Sequence, residues 1–396
     1  MISKNKIKEL SEAYFKEIVN IRRHLHMYPE LSFEEKKTSD YIKNELKKMG
    51  LQSKTIFKTG ITGILEGKNP SKNTIALRAD IDALPIKENT GLEYISKNPG
   101  VMHACGHDAH TASLMGTLKI LNELKDQFEG RIKFIFQPAE EKLPGGAKKL
   151  IEEGILSNPE PSLIIGQHVY PDLPAGYIGF RAGTYMASSD EIFLTIKGKG
   201  GHGAMPQKIT DTVLLSSQLI TRLHQTINRI SPPDVSTVLS FGKVIANGAT
   251  NIIPDEVYIE GTFRTMDESW REKAHIKIHE IAETMAKNVG ATCDVLIKKG
   301  YPVLVNDKNY TQKAIDFAQS LWGSKYIKPL EKRMTAEDFA YYSQQIPGIF
   351  YRLGTGNQQT TNSEPLHSSK FTIDEESLKT GMATMAWLTL NFLKKF

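Results

Sequence analysis

Three histidines, a cysteine and an aspartate fall within nine residues of the stretch Met102–His110 (MHACGHDAH), just ahead of a helical run. Cys105 and His107 stand two apart, so on an extended or turning backbone their side chains point the same way. A soft thiolate and an imidazole aimed at one point form half of a transition-metal site. The competing reading is a pair of inert core residues. What weighs between them is whether the rest of the chain supplies further ligands. Arg78-Ala79-Asp80-Ile81-Asp82 puts two carboxylates at the C-terminal end of an expected strand, where open α/β sheets carry their chemistry. A turn with a helix cap fits that stretch equally well. Gln137-Pro138-Ala139-Glu140-Glu141 follows the apolar run Arg131–Phe136. Pro138 stiffens the exit from that strand, and the two carboxylates beyond it can divide the work. One binds a cation while the other, differently directed, acts as a general base. A third apolar run, Leu163–Gln167, ends at His168. Strand after strand thus terminates in a metal-capable residue, a recurrence that unrelated surface decoration would not produce.

Other histidines are less decisive. His24 and His26 sit at the end of a helix, where imidazoles are common. His202 lies in a glycine-dense loop, Gly198–Pro206, that lets backbone approach a ligand closely and present the ring; a flexible hairpin is the bland alternative. The loop lacks the lysine-serine ending of a phosphate loop. His367 precedes the closing helix and reads on its own as a surface histidine.

The elements that position these residues follow from apolar periodicity. Helices are expected over 7–27, 33–49, 108–127, 211–230, 268–289, 308–322 and 375–393. Strands are expected over 62–66, 74–79, 131–136, 163–167, 191–197, 236–245, 257–265, 292–299 and 348–353. At 396 residues the chain exceeds what one core organises, so two domains are expected. Between 188 and 298 the order is β-α-β-β-α-β, the split ferredoxin-like arrangement. We therefore expect an α/β protein with a mixed sheet. One domain comprises 1–187 and 299–396, and residues 188–298 form an inserted ferredoxin-like domain, with hinges near 186–190 and 297–301. The tract 357–363 is strongly polar.

A hydrophobic share of 40% and a charged share of 24% are those of a soluble globular protein. The net charge of +5 is small and its lysines and arginines are dispersed, which gives no basis for nucleic-acid binding. The N-terminal segment is charged with a helical period and does not read as a signal peptide. No apolar run approaches the roughly 18 residues of a membrane span. Two cysteines, Cys105 and Cys293, make no disulfide framework, so a cytoplasmic location is expected.

Taken together, the motifs resemble the M20 metallopeptidase superfamily, in its amidohydrolase branch of hippurate hydrolases, N-acyl-amino-acid hydrolases and auxin-conjugate hydrolases. The matching segments are HLHMYPELSFEE, LRADIDALP, MHACGHDAH, FQPAEE, GQHVYP, GKGGHGAMP, ATNIIPDEVYIEGTFRT, AEDFAYY and PLHSSKF, in family order from residue 24 to 371. The resemblance implies a catalytic domain with two divalent ions (zinc, manganese, cobalt or nickel) held by Cys105, His107, Glu141, His168 and His367, with Cys105 as the bridge. It implies Glu140 as general base and acid, and Asp82 as the carboxylate supporting the site from behind. Asp80 stands where other branches carry a metal histidine, and the HLHMYPE histidines have no ligand role. The inserted domain would serve as a lid and as the surface of a homodimer. His202 is the candidate donor to the oxyanion, and Asn251 and Arg264 look like contacts to the substrate carboxylate, a buried structural role being the alternative for Arg264. One departure is Thr335, where the family carries a glycine before AEDFA.

The expected activity is hydrolysis of an N-acyl amino acid to a carboxylate and a free amino acid. Deacetylation of N-acetyl-diaminopimelate is the alternative within that class, and a zinc aminopeptidase fits the Cys105 context less well. From a different class, a non-catalytic metal- or peptide-binding module would use the same cage; Glu140→Gln separates it from an enzyme.

Overall fold

The computed structural model describes residues 2–357 and 364–394, so most of the polar tract at 357–363 lies outside the described residues. The chain divides into two compact units. The first comprises 1–183, 305–331 and 338–396, and the second 184–304 with 332–337.

The first unit is built on an eight-stranded mixed sheet. Its order is Ser53–Ile56, Gly60–Glu66, Arg131–Gln137, Thr74–Asp80, Leu163–Pro174, Gly348–Gly356, Ile178–Phe180 and Ile327–Pro329. The four middle strands run parallel, so their carboxyl ends share one edge, and Asp80, Glu140 and Glu141 follow from it. Thr74–Asp80 and Gly348–Gly356 are buried at every position, as parallel strands covered on both faces must be. Helices Lys4–Met27, His107–Glu123 and Ser377–Leu393 pack on one another beside the sheet. The last two are buried over nearly their whole length, around the full circumference rather than along one stripe. Ile75, Leu77, Leu118, Met382 and Leu388 belong to this single core.

One strand departs from expectation in a way that matters to the site. Leu163–Pro174 continues well past Gln167, so His168 lies within it. The apolar run stops at Gln167, but pairing with Gly348–Gly356 goes on through Arg352↔His168 to Gly356↔Pro174. On its other side the pairing with Thr74–Asp80 ends at Arg78↔Gly166. The second helix begins at Lys36, after Phe33 adopts a left-handed backbone.

The second unit carries a four-stranded antiparallel sheet ordered Thr237–Ala246, Glu256–Thr265, Asp190–Lys197, Thr292–Lys299. In chain order the first and third strands are central. Alternation sends Ile192, Leu194 and Ile196 inward, where they meet Leu219 and Leu223 of helix Thr212–Ile230 and Ala274 and Ile278 of helix Glu268–Asn288. Asp211 and Asp267 cap those helices, accepting from the backbone N–H of Leu214 and Trp270. Inside this unit Asp190 accepts hydrogen bonds from Arg271, His275 and the backbone of Gly300.

Candidate active site

Gly106 sits between the two residues with which the sequence analysis began. Its backbone is left-handed (φ 79°), and a Cβ there would lie 2.5 Å from a methyl of Val169; only glycine meets both conditions. The turn carries Cys105 on one side, and His107 opens the following helix on the other. His107, His168, Cys105 and Glu140 are all buried.

Six of the expected residues converge. Cys105, His107 and His168 offer ligand atoms within 4.8 Å of one another, as do Cys105, Glu141 and His367, and as do His107, Glu140 and Glu141. Cys105 Sγ lies 3.5 Å from His168 Nε2. Glu141 Oε1 lies 3.8 Å from His107 Nε2 and 3.4 Å from His367 Nε2. His367 is more than half exposed, but its backbone N–H donates to the carbonyl of Ala104 and ties the two loops together.

The donor set fits divalent cations. His107 Nε2 and Glu141 Oε1 are buried without a hydrogen-bond partner among the described residues, a costly state for polar atoms unless something else satisfies them. Burial, then Glu141 and Glu140, push the Cys105 thiol well above its ordinary range. Three potentially negative groups thus face one another with no lysine or arginine in their triads. Burial alone would lower His107, yet Asp80, Asp82 and Glu141 raise it to about 10. A proton and a cation therefore compete for its Nε2.

Carboxylates behind the cluster fix it. Asp82 Oδ1 accepts from His107 Nδ1 at 3.1 Å, while Oδ2 accepts from Ser32 at 2.6 Å and from the backbone N–H of Glu141 at 3.0 Å. Burial raises Asp82, but these bonds outweigh it and hold the carboxyl below its ordinary value. Asp82 so orients one imidazole and the neighbouring carboxylate at once, leaving Nε2 of His107 free to face a metal. Glu140 accepts from the backbone N–H of Asp338.

Sequence reasoning missed several supports. Glu35, fully buried, accepts from the backbone N–H of Ala139 at 2.9 Å and from Thr59 at 2.6 Å. It thereby holds the left-handed residue (φ 52°) that turns Glu140 and Glu141 into the cluster. Asp338 gathers Arg78, Gln137 and the N–H of Ala147. His26 donates to Asp108, the residue after His107, at 2.8 Å and also meets Glu88, while His24 stacks on Tyr41. Neither belongs to a ligand triad. His26, Glu35 and Asp338 lie within segments already singled out, HLHMYPELSFEE and AEDFAYY, but nothing in those segments marked the contacts.

In the second unit, strand Gly201–His202 pairs with Ile252–Ile253, and Gly203 N–H donates to the carbonyl of Asn251. The structure thus brings His202 and Asn251 together. His202 is exposed, and its Nδ1 accepts from Ala204 N–H at 3.1 Å, which leaves the proton of the neutral ring on Nε2. Arg264 is half-buried and donates to the carbonyl of Met334; loss of solvent lowers its pKa.

Comparison with known proteins places this arrangement. The model of peptidase family M20/M25/M40 matches residues 76–391. This chain is a member of that family. It is a hydrolase of amide bonds that uses divalent metal. It is 41% identical to an N-acetyl-L-cysteine deacetylase of Bacillus subtilis, over 92% of this chain and 85% of that one. It is 40% identical to an N-acyl-L-amino acid amidohydrolase of Geobacillus stearothermophilus, over 77% and 82%. Its structure is similar to that of the Bacillus subtilis YXEP protein, described as a dinuclear metal binding peptidase of the M20 family. That likeness has a TM-score of 0.83 and 35% identity over 97% of this chain and all of the other.

Proposed function

We propose that this M20 hydrolase cleaves N-acyl amino acids to a carboxylate and a free amino acid at a centre of two divalent ions. The observation that carries the reading is the pair of ligand triads sharing Cys105, with Glu140 against one edge. Cys105, His107, Glu141, His168 and His367 would hold the ions, and zinc, manganese, cobalt and nickel all suit this donor set. Bound there, the ions supply Lewis acidity to the water and to the scissile carbonyl.

The chain's own residues do the remainder. Glu140 takes the proton from the attacking water and returns it to the leaving amine. Its carboxylate is steadied by the N–H of Asp338. Asp82 keeps His107 in the tautomer that presents Nε2. His202, with its proton on Nε2, donates to the oxyanion as charge develops. Arg264 and Asn251 receive the substrate carboxylate. In support, the hydrogen bond of Arg264 among the described residues goes to a carbonyl rather than to an acid, so its charge is available to a ligand.

The second unit we take as a ferredoxin-like lid, inserted over 188–298, that also forms a homodimer. The edge strand Thr237–Ala246 favours this. It ends the sheet, and Val244 and Ile245 are exposed on it at 49% and 37%, an edge suited to pairing with another copy. No described helix is long and apolar enough to cross a membrane. Both cysteines are free and buried, in keeping with a cytoplasmic enzyme.

The test is turnover of a panel of N-acyl amino acids by metal-stripped protein, with each of the four metals restored in turn. Metal-dependent release of free amino acid is the expected result, and the best substrate distinguishes a general hydrolase from a diaminopimelate deacetylase. Full metal binding with no turnover on any substrate would overturn the reading.

A further inference from the structure

Strand Leu163–Pro174 outruns its neighbour. Its registered pairing with Thr74–Asp80 stops at Arg78↔Gly166 on that side, and a buried backbone N–H beyond it needs another acceptor. The N–H of Val169 finds one in His110 Nε2, at 2.8 Å. That nitrogen accepts, so the ring proton sits on Nδ1, which donates to Asp80 Oδ1 at 2.6 Å. Arg78 holds the other oxygen of Asp80 at 2.6 Å and reaches Asp338 at 2.7 Å. His110, Asp80, Arg78 and Asp338 are all at most 1% exposed. The carbonyl of the same Val169 accepts from His168 Nδ1 at 2.8 Å, which leaves His168 Nε2 unprotonated and facing Cys105.

We propose that His110 is a positioning residue for the metal centre. It fixes the backbone of Val169, and Val169 in turn sets the tautomer and aim of His168. The inference rests on the reading of His168 as a ligand. Asp80, His107 and His110 lie close enough together to suggest a cation site of their own. Both nitrogens of His110 are already committed, however, one to Asp80 and one to Val169, so this trio serves as a brace rather than a third metal site. Gly106 adds to the coupling, since the Val169 side chain packs directly against it. One residue, Val169, thus joins the loop bearing Cys105 and His107 to the strand bearing His168.

Two substitutions isolate the bond. In His110→Asn the amide still reaches Asp80 but is too short to accept from Val169. In His110→Gln it can do both. Metal-stripped wild type and variants are titrated with manganese and with zinc against a competing chelator, and bound metal is counted by mass spectrometry. Wild type is expected to hold two ions. His110→Asn should hold one at wild-type strength and the other tenfold to a hundredfold more weakly, the usual loss when the partner behind a ligand is removed. His110→Gln should restore it, together with the melting temperature of the metal-free form, which His110→Asn lowers by leaving the buried Val169 N–H unsatisfied. Two ions bound at wild-type strength by His110→Asn would overturn the proposal. So would equal weakening of both sites, or a failure of His110→Gln to rescue. His168→Ala is run alongside and should lose one ion. If it binds both, the ligand assignment has failed, and the brace falls with it.

Discussion

At the scale of single residues, the site separates groups that carry chemistry from groups that aim them. Glu140, the proposed general base, belongs to the first kind on that reading, so Glu140→Gln should retain both metals while turnover falls about 10²–10⁴-fold, the usual contribution of a general base. Metal analysis beside a rate assay checks this, and surviving turnover would reassign the base. Gly106 belongs to the second kind. Gly106→Ala forces a left-handed alanine against Val169 and should cost about 1–3 kcal/mol of stability, in the range of overpacked cores; a urea titration reads it. The same division explains what was legible in the sequence. Cys105 and His107 could be picked out by their spacing, and Glu140, Glu141 and His168 because each follows an expected apolar strand. Glu35 and His110 could not, because each acts on a backbone N–H, of Ala139 and of Val169 respectively, and a backbone N–H leaves no mark on the residue that bears it.

At the scale of elements, periodicity located the long helices and buried strands to within a few residues. It missed the pieces whose existence depends on a neighbour. Ser53–Ile56 and Ile178–Phe180 are too short to show alternation, and the end of Leu163–Pro174 was misjudged because pairing outlasts the apolar run. Asp190 illustrates an element held by charge. It opens a central strand and takes Arg271 and His275 from the facing helix. Burial raises its carboxyl, yet the hydrogen bonds from His275 and Arg271 bring it below its ordinary value. The stabilisation is therefore present above the unfolded carboxylate range, near pH 4, and lost as pH falls through the depressed value. Asp190→Ala should cost about 3 kcal/mol at pH 7 by removing the buried acid that Arg271, His275 and the Gly300 N–H share. The gap from wild type should hold from pH 8 to pH 5 and close only in stronger acid. A gap that closes above pH 5 instead would overturn the assignment to the Asp190 carboxyl.

For the whole molecule, the proposed assembly runs through the open edge of the second unit. Val244→Lys puts a charge on that edge strand, a natural device against strand pairing. It should convert a dimer to a monomer in sedimentation, with metal content unchanged. A variant that sediments as the wild type would move the interface elsewhere.

The discontinuity of the first unit also sets an order in time. Its core includes Met382, Trp387 and Leu390 of helix Ser377–Leu393, packed against Lys4–Met27 and His107–Glu123. The second unit needs nothing beyond Glu337. On the ribosome, where segments fold as they emerge, the inserted unit is complete while the earlier helices still lack a partner. The metal-binding half of the protein is thus the last to be made whole. Nascent chains arrested with Glu337 outside the tunnel and Ser377 still within it should yield a protease-resistant fragment spanning 184–304, while residues 4–123 are digested. Equal protection of both segments would show that the first unit can close without its final helix.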